Sequence, residues 1–203
     1  HHSRMSKITS NQDGTLTKLP GADPSSIDAL IREITAMSEI KERAPNARIP
    51  VITSSQVEGK HSLQMSRIGS HDIRDVMHEI PAKAIPGLFF HMAKDVQSIH
   101  LSGFVHRDVK PANFIVEYSP NKRRMKYGGI IDFGMSMRVN RKQEEPSCLG
   151  GTSGYSHNSQ LSKKHKEVRC HPGQDWFALG RTFSHILVGG SEASFISGVE
   201  SDS

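Results

Sequence analysis

A fixed series of polar side chains between two apolar pieces is the feature that most restricts the fold of this chain. The stretch "GFVHRDVKPANFIVE" (103–117) holds five of them, which are His106, Arg107, Asp108, Lys110 and Asn113. Two short apolar strands joined by a basic loop follow, and the second of them ends at Asp132. A surface loop needs no such order, so the series predicts a functional site.

The residue types in this series fit phosphoryl transfer from a magnesium-bound nucleotide. That chemistry requires an acceptor for the proton of the attacking hydroxyl and two oxygen ligands that hold the metal against the phosphates. Asp108 is the candidate acceptor, and Asn113 and Asp132 are the candidate magnesium ligands. Gly134 frees the chain to turn directly after Asp132.

The composition is that of a soluble globular protein with a modest core, with 35% hydrophobic and 23% charged residues in a chain of 203. One domain is expected at this length. No apolar run approaches the roughly 18–20 residues that span a bilayer, so no membrane contact is expected. The start, "HHSRMSKIT", has no signal-peptide core and is compatible with part of a purification tag, which leaves export by another route open. The two cysteines, Cys148 and Cys170, make no disulfide framework and suit a reducing compartment.

A formal net charge of +5 invites a nucleic-acid interpretation, which the motifs do not support. The basic runs "NKRRMK" (121–126) and "KKHKEVR" (163–169) have no interleaved aromatic residues and match no nucleic-acid module. We interpret both runs as solvated loops, with docking of an acidic protein partner as the alternative.

Turn signals and hydrophobic periodicity predict the secondary structure. The Asp13-Gly14 turn indicates a β-hairpin over residues 4–19. A helix that ends at Pro45 is indicated by apolar residues at helical spacing, which are Ile27, Leu30, Ile31, Ile34 and Met37. The remaining predicted elements are strands at 49–55 and 61–68, a helix at 86–103, strands at 113–118 and 127–132, and a helix at 174–190.

The chain resembles protein kinases in two motifs. "HRDVKPAN" (106–113) matches the catalytic-loop pattern at every position that carries chemistry, and "DFG" (132–134) matches the metal-binding turn. Lys110 followed by Pro111 resembles the serine/threonine kinases, whose lysine contacts the transferred phosphate. ATP and Mg²⁺ are the cofactors that the resemblance implies.

The same resemblance implies an α+β, two-lobed protein-kinase-like fold with a shortened C-terminal lobe. We expect one minimal kinase domain over residues 1–203, with a small lobe at about 1–68 and a reduced large lobe at 69–203.

The family also has a lysine on the nucleotide phosphates that pairs with a glutamate on the next helix. Lys18 is the candidate, because the Asp13-Gly14 turn places its competitor Lys7 on the earlier strand. Glu33 is the candidate partner, and Glu39 is the alternative. The family's hydrophobic spine would include Met37, His106 and Phe133, each of which is also explicable as plain core.

Three further segments match kinase elements. "SLQMSRIG" (62–69) resembles the strand and hinge that hold adenine, with Met65 as gatekeeper and a hinge of Ser66, Arg67 and Ile68; an ordinary strand is the alternative. "GGTSGY" (150–155) resembles the segment before the substrate hydroxyl, with Thr152 beside the catalytic aspartate or lysine. "DWFALG" (175–180) resembles the helix whose aspartate, here Asp175, anchors the catalytic loop, and a helix N-cap is the alternative.

Two kinase motifs are missing. No GxGxxG precedes Lys18, and we expect that loop to lie outside this chain, because an uncovered nucleotide would be poorly positioned for in-line transfer. The Ala-Pro-Glu motif is absent after "GTSGY", where "HNSQLSKKHK" stands.

This reduced pattern resembles the compact kinases that bacterial pathogens inject into host cells, and most of all the Hop-type plant-pathogen effectors. The resemblance implies a monomeric enzyme, secreted into the host cytoplasm by a bacterial secretion system, that phosphorylates and inactivates the host ninety-kilodalton heat-shock chaperone. A truncated casein-kinase-like enzyme shares "HRDVKP.NF" and "GT..Y" and is an alternative, as is a kinase-fold binding module without turnover. A small-molecule phosphotransferase is a third alternative, against which Lys110-Pro111 argues.

Overall fold

A computed structural model describes residues 6–139, 155 and 170–189 of the chain. Its N-terminal part is a four-stranded antiparallel sheet in the order β1-β2-β4-β3. The strands are β1 (Ser6–Ser10), β2 (Leu16–Pro20), β3 (Ile52–Gln56) and β4 (Ser62–Met65). The predicted hairpin is present, and Gly14 at its turn has a φ of +83°, which glycine adopts without steric cost. Lys18 lies on β2 between Ile8 and Leu63, so the turn places it on an inner strand.

Helix α1 (Ser25–Arg43) packs against this sheet. Before its first turn, Asp23 Oδ1 accepts a hydrogen bond from the Ser25 backbone N–H at 3.0 Å. The basic residues Lys41 and Arg43 lie in its last turn, where they complement the helix dipole. Its buried face is formed by Ser26, Leu30, Glu33, Ala36, Met37 and Ile40. Glu33 is a carboxylate on a buried face that is otherwise largely apolar. Because burying a charge without a partner is costly, Glu33 is expected to form an ion pair in the core.

The second part of the fold is organised around helix α3 (Ile85–Leu101), which follows the one-turn helix α2 (Ile73–Val76). One small sheet has the order β5-β7-β8, with β5 (His71–Asp72), β7 (Phe114–Ser119) and β8 (Arg124–Ile130). A second pairs β6 (Phe104–Val105) with β9 (Met137–Arg138). Helix α4 (Pro172–Val188) packs on α3, and the rings of Phe89 and Phe183 stack with centroids 3.9 Å apart.

The predicted helices and the β7–β8 hairpin are present, within a few residues of their expected bounds. The elements β5, α2, β6 and β9 were not predicted. They contain two to four residues each, which is too short for a hydrophobic period to show.

A close backbone approach at Gly128 and Gly129 joins the two parts of the fold. The Ile130 N–H donates to the carbonyl oxygen of Arg48 at 2.9 Å, so β8 meets the segment that leads into β3. A Cβ atom added at Gly128 would lie 2.2 Å from the Ile68 oxygen, and one at Gly129 would lie 2.1 Å from the Arg48 oxygen. Gly129 also has a φ of +149°, which side chains rarely permit. Both positions therefore require glycine.

Two sequence expectations concern the membrane and the cysteines. Within the described residues, no helix has the length and apolarity that crossing a bilayer demands. Cys170 is buried and disulfide-bonded, unlike the reduced thiols that the sequence analysis expected. Cys148, the other cysteine of the chain, lies outside the described residues.

Replacement of Gly129 by alanine is expected to destabilise the fold strongly. The new Cβ combines a clash with backbone and an unfavourable φ, and we expect Gly129→Ala to lower the free energy of unfolding by about 2–5 kcal/mol. Gly180→Ala is the matched control, because Gly180 lies in the middle of α4 with no atom within 4 Å of the added Cβ. It should stabilise the protein by about 0.5–1 kcal/mol. Urea denaturation measures both, and a Gly129→Ala protein as stable as the wild type would contradict the close approach.

Candidate active site

Three charged side chains meet between the N-terminal sheet, helix α1 and the segment after β8. Lys18 Nζ lies 3.2 Å from Glu33 Oε1, 3.0 Å from Glu33 Oε2 and 3.7 Å from Asp132 Oδ1. Lys18 and Glu33 are buried, with 8% and 2% of their surfaces exposed. The structure therefore brings together the predicted lysine, its first-choice glutamate and the predicted metal ligand. The competitor Lys7 lies exposed on β1, and Glu39 pairs with Arg138.

The charges in this group support Lys18 and Asp132 but not Glu33, because burial and the like charge of Asp132 raise the pKa of Glu33 above its ordinary value despite the contact with Lys18. Burial alone would lower the pKa of Lys18, but the carboxylates of Glu33 and Asp132 outweigh it and raise that pKa above its ordinary value. Burial likewise acts to raise the pKa of Asp132, yet Lys18, His106, the Gly134 backbone N–H and Lys110 together hold that pKa below its usual range. Lys18 is therefore a fixed cation and Asp132 a fixed anion at neutral pH.

The catalytic-loop residues lie beside this group. The Asn113 side-chain amide donates to the Asp108 backbone oxygen at 2.7 Å and to Asp108 Oδ2 at 3.2 Å. Lys110 Nζ lies 3.6 Å from Asp108 Oδ2. The Asn113 backbone oxygen accepts from the Ile131 N–H at 2.9 Å, which ties the catalytic loop to the residue before Asp132. The candidate base and the two candidate metal ligands thus belong to one hydrogen-bonded unit.

The oxygen donors of this unit fit a hard divalent cation. Asn113 uses its amide nitrogen in the bonds to Asp108, so its side-chain oxygen is the atom that can serve as a ligand. Asp132 is ionised and has a side chain that is 37% exposed, so a cation could reach it. Carboxylate and amide oxygens are ligands that Mg²⁺ takes together with nucleotide phosphates. These two residues would hold the metal, whose charge would neutralise the phosphates during transfer.

Asp175 anchors the catalytic loop through the backbone. Its Oδ2 accepts from the His106 N–H at 2.8 Å, and its Oδ1 accepts from the Arg107 N–H at 2.9 Å. His100 Nε2 lies 2.7 Å from Oδ2. The alternative of a helix N-cap is wrong, because His171 caps α4 and Asp175 is buried one turn later. Sequence reasoning missed His100, for which the chain offers no signal beyond its place near the end of α3.

The candidate spine residues are all in the core. Met37, His106 and Phe133 each expose 1% of their surface or less. The rings of His106 and Phe133 pack edge to face with centroids 5.0 Å apart, and His106 Nε2 lies 2.8 Å from the Ile131 oxygen. Phe133 thereby connects the metal-binding turn to the catalytic loop.

The predicted hinge lines a cavity of about 290 Å³ that opens onto Lys18 and Asp132. Met65, Ser66, Arg67 and Ile68 all contribute to its wall. The Ser66 N–H donates to the Val51 oxygen, and the Val51 N–H donates to Ser66 Oγ, both at 2.8 Å. These bonds hold the hinge against the residue that precedes β3. Three titratable residues of this wall, His71, Asp72 and Asp75, were not predicted, because the elements that carry them are so short.

One predicted site residue cannot be placed. Thr152 lies outside the described residues. The neighbouring Tyr155 is described and buried, and its hydroxyl lies 2.6 Å from His185 Nδ1 on α4.

We expect Asp175→Asn to lower the free energy of unfolding by about 2–4 kcal/mol, because a neutral amide cannot accept all the bonds that the carboxylate accepts. Burial acts to raise the pKa of Asp175, but the His100 hydrogen bond and the other donors bring it below its usual value. The stabilisation is therefore present above the unfolded pKa of about 3.9 and is lost as the pH falls through the folded pKa. Urea denaturation at several pH values measures this difference. Asp28→Asn, at an exposed carboxylate of α1, is the control. An Asp175→Asn protein as stable as the wild type at neutral pH would contradict the anchoring role.

Comparison with known proteins places this site in a family. The sequence-family model that describes the protein kinase domain matches residues 16–196 of this chain. A probable serine/threonine-protein kinase of Dictyostelium discoideum is 40% identical over 79 residues, which cover 36% of this chain and 16% of that protein. Casein kinase I homolog 3 of Schizosaccharomyces pombe is 26% identical over 153 residues, which cover 70% of this chain and 34% of that protein. The chain thus spans about a sixth to a third of the length of these relatives.

A solved structure shows the same fold. The structure of the Cydia pomonella granulovirus kinase PK-1 aligns with a TM-score of 0.64 and 19% sequence identity, over 92% of this chain and 70% of that one. The predicted α+β protein-kinase-like fold is therefore confirmed. The kinase-domain match, together with a relative named as a probable serine/threonine-protein kinase, agrees with the predicted type of domain. The chain belongs to the protein kinase family.

Proposed function

We propose that this chain is a serine/threonine protein kinase that transfers the γ-phosphate of ATP to a hydroxyl group of another protein. The observation that carries the proposal is the contact of Lys18 with both Glu33 and Asp132, next to the hydrogen-bonded Asp108 and Asn113. Phosphoryl transfer depends almost entirely on positioning and charge stabilisation, and these residues supply both.

Each residue has a role that follows from its position. Asp108 orients the acceptor hydroxyl and accepts its proton, while Lys110 steadies the transferred group. Asn113 and Asp132 provide oxygen ligands for Mg²⁺. Lys18, held by Glu33, would contact the phosphates of a nucleotide in the cavity that the Met65–Ile68 hinge also lines.

The formed site favours turnover over a binding module. A module that only holds a partner has no need to bury a lysine and a glutamate together, because burying charges costs several kcal/mol per ion. Lys110-Pro111 favours a protein over a small molecule as the acceptor, on the family resemblance.

The proposed substrate is the host ninety-kilodalton heat-shock chaperone, which the chain would phosphorylate and inactivate as a bacterial effector delivered into the host cytoplasm. Support comes from the resemblance to the Hop-type effectors and from the charge of the chain. The turn between β7 and β8 exposes Lys122, Arg123 and Arg124, which suit an acidic protein surface. The alternative is a casein-kinase-like enzyme, which the similarity to the Schizosaccharomyces pombe casein kinase I homologs favours.

Asp132→Asn should abolish transfer and leave the fold intact. The substitution removes a charged metal ligand, and asparagine tolerates the φ of +66° found at this position. We expect a loss of about 10³-fold or more in the rate of phosphate transfer from Mg-ATP, with a midpoint of thermal unfolding that falls only slightly, because Lys18 loses the Asp132 carboxylate but keeps Glu33. Asp28→Asn serves again as the control. Transfer by Asp132→Asn at the wild-type rate would show that the metal assignment is wrong.

The substrate proposal predicts faster phosphorylation of intact chaperone than of casein or heat-denatured chaperone. A folded acidic partner can contact the exposed basic residues of the kinase, whereas a denatured one offers no fixed surface. Initial rates with radiolabelled ATP measure the three substrates side by side. Equal rates on native and denatured chaperone would rule out recognition of a folded partner. Good transfer to casein with none to the chaperone would favour the casein-kinase-like alternative.

A further inference from the structure

Helix α1 carries three polar side chains that contact the second part of the fold. Arg32 Nε donates to the Gly134 oxygen at 3.0 Å, and Arg43 Nη1 donates to the Ser102 oxygen at 2.9 Å. Between them, Glu39 forms a bidentate ion pair with Arg138. Residues 32, 39 and 43 are separated by seven and four positions, so they lie along one face of the helix.

The Glu39–Arg138 pair lies at the paired strands β6 and β9, next to both catalytic segments. Arg138 ends β9, which pairs with β6 through Phe104 opposite Arg138 and Val105 opposite Met137. The catalytic loop begins directly after β6, and the metal-binding turn lies just before β9. The Arg138 guanidinium also lies over the Phe104 ring, 5.0 Å from its centroid. One arginine thus contacts helix α1 and both strands of the ribbon that joins the catalytic segments.

These contacts bear on Glu33 because a helix moves as a stiff unit. Glu33 reaches Lys18 only while α1 keeps its rotation and its height above the metal-binding turn. Arg32 fixes the helix one residue before Glu33, and Glu39 fixes it almost two turns later. A helix held at both points cannot carry Glu33 away from the lysine without breaking one of the two contacts.

We propose that Glu39 and Arg138 are positioning residues that hold Glu33 on Lys18 and so keep the kinase in its competent arrangement without a phosphate. The proposal rests on the kinase activity proposed above. Arg138 could serve a phosphate only by giving up Glu39, since the carboxylate already engages two of its guanidinium nitrogens. An internal carboxylate therefore occupies this arginine.

The solvent exposure of the Arg138 and Glu39 side chains determines how far kcat should fall when their ion pair is lost. The side chains of Arg138 and Glu39 are 47% and 27% exposed, so solvent screens the pair and its loss should weaken the competent state without abolishing it. We expect a decrease in kcat of roughly threefold to tenfold, since small free-energy changes shift a two-state equilibrium by such factors.

The test uses phosphatase-treated full chain, Mg-ATP and casein, with ADP formation as the readout so that transfer and hydrolysis are both counted. Glu39→Gln and Arg138→Gln should each lower kcat by roughly threefold to tenfold, with thermal midpoints close to that of the wild type. Glu42→Gln, at an exposed glutamate on the same helix, is the matched control and should keep the wild-type kcat.

The same substitution in a Glu33→Gln protein distinguishes a positioning role of Glu39 from general destabilisation of the fold. If Glu39 acts through Glu33, then Glu39→Gln should cost nothing further in a Glu33→Gln protein, where the pair with Lys18 is already lost. A wild-type kcat in Glu39→Gln, or an equal loss in both backgrounds, would overturn the positioning role alone. A wild-type protein that forms no ADP either with casein or with the intact chaperone would overturn this role and the kinase activity together.

Discussion

Lys18 and Glu33 form an ion pair that is almost removed from water, and the placement of β2, helix α1 and the metal-binding turn depends on it. Taking the two charges out of solvent costs several kcal/mol per ion, which their attraction repays only when the geometry is good. Here both Glu33 oxygens contact the ammonium, and Asp132 adds a second carboxylate on the other side. Two apolar residues could fill the same space, so the pair is better explained by the charge that a nucleotide phosphate would meet.

The residues with strong local signals were predictable, and the long-range partners were not. The order of Asp108, Asn113 and Asp132 carries its chemistry within one stretch of chain, and the Asp13-Gly14 turn separates Lys18 from Lys7. The role of Asp175 could not be derived from its own neighbourhood, because its partners His106 and Arg107 lie almost 70 positions earlier in the chain. The Arg138–Glu39 and Arg32–Gly134 contacts join residues about a hundred positions apart, and no periodic pattern encodes them. The two-residue strands β6 and β9 were not predictable for a related reason. Each is defined only by its pairing with the other, and two residues are too few to show a periodic pattern.

The close approach at Gly128 and Gly129 links the packing of β8 to the geometry of the candidate active site. These residues let β8 pass against the Ile68 and Arg48 oxygens, and Ile68 belongs to the predicted hinge. Ile131 follows directly after β8, and its N–H donates to the Asn113 oxygen. The wall of this cavity and the candidate metal ligands are therefore positioned by β8 and the residues directly after it. A side chain at either glycine would push the hinge away from the catalytic residues, so two residues without chemistry of their own help to set the size of the cavity.

Two of the three described non-glycine residues with a positive φ lie where the charged groups are held, and the third, Arg123, lies in the turn between β7 and β8. Arg107 has a φ of +74° and Asp132 a φ of +66°, a region that costs side-chain-bearing residues about 1–3 kcal/mol each. Such conformations persist only when surrounding bonds favour them over relaxation. At Arg107 these bonds are the backbone N–H to Asp175 and the guanidinium to the Met135 oxygen. At Asp132 they are the contact with Lys18 and the hydrogen bond from the Gly134 N–H. The two left-handed residues lie immediately before Asp108 and at Asp132 itself. The strain is thus explained by the arrangement that phosphoryl transfer requires, and Asp175 and Lys18 stabilise that arrangement before any nucleotide binds.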